Sequence, residues 1–408
     1  MLRTSCVVLA GTFSAMALFA CADTVRPTTS AVTTIDTVAG VELVHNAGAP
    51  PSWTLIEILT LGSAGGTEAA ADDEFGRVST VIADDSGYVY VADANATEIR
   101  VFDAGGTLVR RIGRRGSGPA EYQELQSIGW LGDTLAVLDP GNARLGLFLK
   151  SGEWLDHRPY LPLYGDGIRL HSTGLGELYM PFFMPSASRS GLVYLQQTRS
   201  GPGDTITSDV ALPGSAAVDE LRERQRSLYV ICRHSGGRGI SSYSATLAPQ
   251  SIVMPAPAQS RAVAWSSQYR ISFLKGAGDT VRVVDRDLAV RAITDEDWLM
   301  EEQKYLEFLD TFTDETCEPR SLPRPDQRRI ILSISFDDSG RMWVERETTS
   351  GRAFDAFDGA GRLLGTVASP DRLDRVPPFI RGDRMYLVVT DSLEVEYVKG
   401  YAIRAGAR

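Results

Sequence analysis

The sequence predicts an all-β fold, a ring of short, four-stranded antiparallel sheets. Repetition, a residue period of two and punctuating turn chemistry carry that prediction. "SGYVYVADANATEIRVFDAGGTLVRRIG" (86–113) aligns with "GDTLAVLDPGNARLGLFLKSGEWLDHRP" (132–159). Val91 and Val137, Asp93 and Asp139, Phe102 and Phe148, and Gly106 and Gly152 are each 46 residues apart. A third copy is "SGRMWVERETTSGRAFDAFDGAGRLLGTV" (339–367). Gly87 and Val91 meet Gly340 and Val344 at an offset of 253, and Phe102 and Gly106 meet Phe357 and Gly361 at 255. The extra residues fall between strands, where insertions are tolerated. "YRISFLKGAGDTVRVVDRDLAVRAI" (269–293) is a weaker copy. Within a copy, Val89 and Val91 alternate with Tyr88 and Tyr90, and "DDSG" and "DAGG" are tight-turn sequences.

One such sheet cannot bury both faces by itself. Sheets repeated around an axis can, and that arrangement is a β-propeller. Sheets are expected near 75–113, 122–160, 162–207, 250–293, 329–368 and 376–404. The last supplies only about three strands. "SWTLIEILTLG" (52–62) is a lone strand at the other end of the body. Placing it in the last sheet closes the ring and removes the open edges. The prediction is thus a six-bladed β-propeller whose N-terminal strand completes the last blade. One or two short inserted helices are expected, near 216–227 and 294–312. In the second, Thr294 is a candidate N-cap with Asp297 at the capping-box position. Trp298, Tyr305, Leu309 and Phe312 share one helical face. That face either packs on the propeller rim or serves as a lid or partner-binding element.

The N-terminus reads as an address. Arg3 precedes an apolar run (6–20) too short to span a bilayer as a helix. Leu18-Phe19-Ala20-Cys21 resembles the lipobox of bacterial lipoproteins, which implies lipidation at Cys21 after removal of residues 1–20. An ordinary secretory signal cut at Ala20 or Ala22 is the other reading. Ala22 stands where Asp would retain a lipoprotein in the inner membrane. The expected site is therefore the cell envelope, lipid-anchored at the outer membrane or facing the periplasm. Residues 21–51, rich in Thr, Ala, Val and Pro, are expected to begin as a flexible tether. "GVELVHN" (40–46) reads as a short strand at the edge of the body, which runs from 52 to 408.

Charge excludes one class of partner. The formal net charge of −11 becomes −12 once Arg3 leaves, and no Lys/Arg-rich tract exists, so nucleic acid is not expected. Cys232 and Cys317 remain after export, an even pair in an oxidising compartment. Either they bridge, or both are small buried thiols.

"GRRGSGPAEY" (113–122) has the glycines of a phosphate-gripping loop. Pro119 and Ala120 stand where a Walker loop needs Lys and Ser or Thr, and Glu121 replaces the third glycine of a dinucleotide fingerprint. The stretch reads instead as a connector between blades one and two. "GYVYVAD … IRVFDAGGTLVRRIG" resembles the NHL-type blade. The connector and the ending "VPPFIRGDRMYLVVTDSLEVEYVKGYAIR" (376–404) resemble a large bacterial group of exported six-bladed propellers, many of them lipoproteins. The resemblance implies that Asp93 and Asp139 tie down their own loops and that Glu121 accepts from connector amides.

The connectors share a face with the loops "DANATE" (93–98) and "DPGNAR" (139–144). Arg114, Arg115, Asn95, Tyr122, Asn142 and Arg144 are therefore the candidate ligand contacts. No catalytic set is visible. His45, His157, His171 and His234 have no metal-ligand spacing, and there is no Gly-x-Ser-x-Gly elbow. No cofactor is expected. A divalent ion held by carboxylates and Asn from separate blades, as in gluconolactonase-like propellers, would escape motif reading. The expected activity is binding of a protein partner or a small polar ligand by a monomer, with a metal-dependent hydrolase or lactonase as the alternative.

Overall fold

The computed structural model describes residues 32–63, 74–160, 168–174, 176–184, 191–198, 201–207, 216–234, 240–276, 278–311, 315–369, 373 and 376–406. The expected signal (1–20), Cys21 and the first residues of the tether lie outside them, as does Phe312.

The strands assemble into six antiparallel blades. Blade one holds Val78–Ala83, Val89–Asp93, Glu98–Phe102 and Leu108–Ile112 in sequential order. Blade two holds Ser127–Leu131, Thr134–Asp139, Arg144–Phe148 and Trp154–Pro159. Blade three holds His171–Ser172, Leu178–Met184, Gly191–Thr198 and Gly201–Thr207. Blade four holds Ser251–Ala256, Ser260–Trp265, Arg270–Lys275 and Asp279–Arg286. Blade five holds Ile331–Phe336, Met342–Thr348, Gly351–Phe357 and Leu363–Ala368. Blade six holds Phe379–Arg381, Arg384–Thr390 and Glu396–Arg404, completed by the N-terminal strand described below.

The ring exists because each blade is apolar on both faces. In strand Val89–Asp93, Val89 and Val91 pack with Tyr386, Val388 and Val398 of blade six. Tyr90 and Ala92, pointing the other way, pack with Ile128, Leu135, Val137 and Phe148 of blade two. A period-two strand buried on both sides reads as a nearly continuous apolar run, as "YVYVA" does. The same wedge recurs between blades two and three (Leu138, Leu145, Leu178, Met180), four and five (Val284, Ile334, Val344, Phe357), and five and six (Trp343, Phe354, Leu387, Tyr401).

Three N-terminal strands precede blade one: β1 (Val32–Val38), β2 (Val41–Ala47) and β3 (Ser52–Leu61). β3 pairs antiparallel with Glu396–Arg404 and closes blade six, as its sequence predicts. Its first residues also pair in parallel with Thr366 and Val367, which links blades five and six. Gly365 permits this approach, because a Cβ there would overlap the Trp53 indole.

The stretch expected to begin as a tether is different over its described part. β1 and β2 form a hairpin, and β2 pairs in parallel with Asp279–Arg286 on the outer edge of blade four. Its residues are mostly Val, Thr, Ile and Leu, which favour extended backbone, and Ala39 and Gly40 take the positive φ of a two-residue hairpin turn. Val44 is buried in the core between blades four and five, and Asn46 bonds to Gly361 O and Leu363 N.

The inserted helices are α1 (Ala216–Arg226) and α2 (Asp295–Asp310). α2 starts at Thr294 with the expected capping box, the Asp297 carboxylate answering the Thr294 N–H. Trp298, Tyr305 and Leu309 face a small core with Val230, Ala245, Ala248, Ile293 and Leu322. A three-stranded sheet of Val230–His234 between Ile240–Tyr243 and Glu315–Glu318 completes this unit. Cys232 and Cys317 face each other in it and are joined by a disulfide.

Candidate functional site

The site is built from chain that leaves one blade and enters the next. The connector after Ile112 folds back on itself: Tyr122 N–H donates to Arg114 O at 2.8 Å, and Gly116 N–H to Tyr122 O at 2.9 Å. This tight path demands special backbone. Gly113 has φ +81°, and a Cβ on it would lie inside the Tyr122 ring. Glu121 sits in the resulting concavity. Its carboxylate accepts from Gly118 N–H at 2.8 Å and from Arg114 Nε at 2.9 Å. The Gly118 amide, followed by Arg114, holds the Glu121 carboxyl below the usual carboxylate range.

The connector and the loop 139–144 touch, so both lie on one face. Asp139 accepts from Gln123 N–H, Glu124 N–H, Asn142 N–H and Asn142 Nδ2. Asp93 does the same in blade one, accepting from Gly76, Arg77, Asn95 and Ala96 amides, with Arg100 at 3.4 Å. Both aspartates are almost wholly buried, and each amide they hold would otherwise be an unmet buried donor.

Several candidate ligand contacts hold neighbouring loops. Arg144 donates to Gly118 O at 2.8 Å and to Glu121 O, and its guanidinium lies 5.2 Å from the Trp154 ring centroid. Asn142 donates to Gly116 O at 3.0 Å, and Asn95 to Gly76 O at 3.0 Å. Tyr122 is 1% exposed and packs edge-on to Phe148. Burial, followed by the Asp139 charge, pushes its phenol well above the usual range. These four side chains hold the loops in shape, because a connector rich in Gly has few other means of fixing its path. Arg114 is paired with Glu121. Arg115 is exposed at the connector tip, and of the five candidates other than the buried Tyr122 it is the one whose side chain makes no hydrogen bond or ion pair with the described residues.

The chain entering blade three is tied to the first strands of blades one and two. Arg169 Nη1 of blade three donates to Ser79 O of blade one at 2.9 Å, and Ser127 Oγ accepts from both Leu170 N–H and Thr80 Oγ1. At the opposite face the turns of blades three and five meet, where a Cβ on Gly174 would overlap the Asp337 carbonyl. His171 lies edge-on to Tyr194, and burial, followed by Arg169, pulls its pKa down to about 4. Among the described residues, no three His, Cys, Asp or Glu side chains converge to hold a metal ion.

Both helical insertions are themselves blade-to-blade connectors, 208–250 between blades three and four and 287–330 between blades four and five. They therefore rise from the same face as "GRRGSGPAEY". The disulfide joins one connector to the other and makes a cap over that part of the ring. Glu301 pins α2 to the first connector through Thr246 N–H and Thr246 Oγ1. Arg328 ties it to blade five, with Asp297 on one side and Glu347, at 2.6 Å, on the other. Sequence reading missed Glu301 and Arg328, because each owes its role to a partner distant in the chain.

The outer side of α2 carries three large exposed apolar side chains among its polar ones, where a solvent-facing helix is ordinarily polar. Leu299 is 67% exposed, Met300 53% and Leu306 60%. Around them Asp295, Glu296, Glu302, Glu307 and Asp310 are exposed, and the single cation of the helix, Lys304, is paired with Glu301.

Comparison with known proteins agrees on the fold and goes no further. A family model described as a 6-bladed beta-propeller matches residues 68–156. A Bacteroides fragilis protein of known structure is 13% identical with a TM-score of 0.43, over 87% of this chain and 99% of its own. A Bacteroides vulgatus protein is 10% identical with a TM-score of 0.43, over 86% and 98%. The PQQ-bound aldose sugar dehydrogenase of Streptomyces coelicolor is 10% identical with a TM-score of 0.40, over 87% and 100%. No curated protein matches the chain. The blades, their order and the closure by β3 establish what the chain is: a six-bladed β-propeller with a disulfide-bonded cap.

Proposed function

We propose that this protein is an exported, lipid-anchored propeller whose capped connector face binds a protein partner. The observation that carries the reading is the exposed row Leu299, Met300 and Leu306 on α2, ringed by carboxylates. Burying each such side chain against a partner contributes about 1.5–3 kcal/mol. The surrounding acids favour a partner with basic side chains beside its apolar ones. A small polar ligand is less well served, since most polar side chains of the connector face already hold backbone. The anchor rests on Leu18-Phe19-Ala20-Cys21, and more than one acyl chain makes such an anchor stable.

Two measurements test the proposal. Cys21→Ser moves the protein from the membrane fraction to the soluble fraction if the anchor is real; unchanged fractionation removes it. Affinity purification from solubilised envelopes recovers a partner with the native chain and loses it with Leu299→Glu/Leu306→Glu. Equal recovery by both rejects the α2 surface.

A further inference from the structure

β1 is the outermost strand of the blade-four sheet, and among the described residues nothing pairs with its other side. Natural edge strands are blunted by Lys, Pro, a bulge or brevity. β1 has none of the first three: it runs seven residues in unbroken register with β2, and its sole charge is Asp36. Val32, Ile35 and Val38 are 54%, 41% and 58% exposed.

The sequence of this edge, V-T-T-I-D-T-V, is nearly the same read in either direction. An antiparallel pair centred on Ile35 sets Ile35 against Ile35 of a second copy. It also sets Thr33 against Thr37, Val32 against Val38, and Thr34 against Asp36. Each Thr34 hydroxyl then faces an Asp36 carboxylate that can accept from it, twice about the axis.

Backbone parity independently selects the same centre. Ala39 and Gly40 form a two-residue turn closed by Val38 and Val41. In such a hairpin the closing pair is a hydrogen-bonded pair, and such pairs alternate along the ladder. Val38, Asp36, Thr34 and Val32 thus turn their amides toward β2, and Thr37, Ile35 and Thr33 turn theirs outward. Thr33–Thr37, Ile35–Ile35 and Thr37–Thr33 are the pairs that the palindromic register joins. Neither turn geometry nor side-chain sequence requires the other to agree.

We propose that β1 is a self-complementary docking edge, and that two copies of the protein join through it about a two-fold axis into one continuous sheet. This departs from the monomer that the sequence suggests, because the hairpin replaces part of the expected tether. Pairing through one strand buries less than the roughly 1,200–2,000 Å² of a stable interface. The dimer is accordingly weak and concentration-dependent, and a closed isologous one, which does not grow into filaments.

Cysteine cross-linking of the purified full chain reads the register. Ile35 is the one β1 residue that faces its own copy, so Ile35→Cys gives a covalent dimer under a short thiol cross-linker. Val32→Cys alone does not, and an equimolar mixture of Val32→Cys and Val38→Cys chains does. The expected yield for Ile35→Cys exceeds that for Val32→Cys by about tenfold or more, given how sharply thiol cross-linking depends on separation. Ile35→Pro removes an outward amide without breaking the β1–β2 ladder and abolishes the dimer in sedimentation of the otherwise native chain. Ile35→Lys does the same by charge repulsion, which covers a failure of the proline variant to fold. Equal cross-linking at 32 and 35 overturns the proposal, as does none at 35, whatever then covers β1.

Discussion

Gly113 and Tyr122 carry the shape of the connector between blades one and two. The ring occupies the volume a Cβ would need, and φ is positive, so Gly113→Ala combines overpacking with backbone strain. The expected loss is about 2–4 kcal/mol, read by denaturant unfolding. Arg144→Ala and Arg115→Ala separate structure from surface in the same assay. Loss of Arg144 leaves the Gly118 and Glu121 carbonyls without this donor and buried Asp139 without the guanidinium 3.6 Å away, and costs about 2–4 kcal/mol, whereas Arg115→Ala stays within about 0.5 kcal/mol. His171 gives a pH signature. Its folded pKa of about 4 lies below the ordinary 6.5, so the unfolded chain binds more protons between these values. Stability contributed by neutral His171 is therefore complete above pH 6.5, falls as pH drops toward 4, and changes no further below that. His171→Gln flattens this limb of a stability–pH profile; an unchanged slope rejects the burial argument.

At the scale of elements, the disulfide is the covalent join between two connectors that also pair through strands Val230–His234 and Glu315–Glu318. The bridge closes a loop of 85 residues, so Cys232→Ser should lower stability by about 2–5 kcal/mol, with the cap becoming susceptible to proteolysis before the blades. Simultaneous loss of cap and blades would show that the cap is not a separate cooperative unit. Element-level legibility tracked locality. Strands such as Val89–Asp93 and the helix from Thr294 announce themselves through period and capping within a few residues. β3 is legible because an incomplete last blade needs a fourth strand. β1 reads as tether from sequence because Thr and Val in a Pro-flanked stretch suit extended linker and extended strand alike; only its partner distinguishes them. The same reason hid the roles of Asn142, Arg144 and Tyr122. Sequence placed them on a loop-rich face, and only the path of the neighbouring loop shows that they hold it.

At the scale of the whole molecule, six wedge-shaped sheets make a rigid ring, and the variation is concentrated on one face. The blades bury their two apolar faces against each other, so new chain enters most easily at connectors, which is where both helices are inserted. Removing β3 should be severe for the same reason, because it opens the ring along the full edge of blade six. A chain lacking residues 52–61 is expected to lose its cooperative thermal transition; retention would mean that the ring does not depend on that closure. The central claim is that the apolar row on α2 faces a protein partner. The direct measurement is in-cell photo-cross-linking from a reactive side chain placed at Leu306, with one at Val109, an exposed apolar residue on blade one, as the control. The account predicts a discrete higher-mass adduct from position 306 and none from 109. Indistinguishable patterns from the two positions would contradict it.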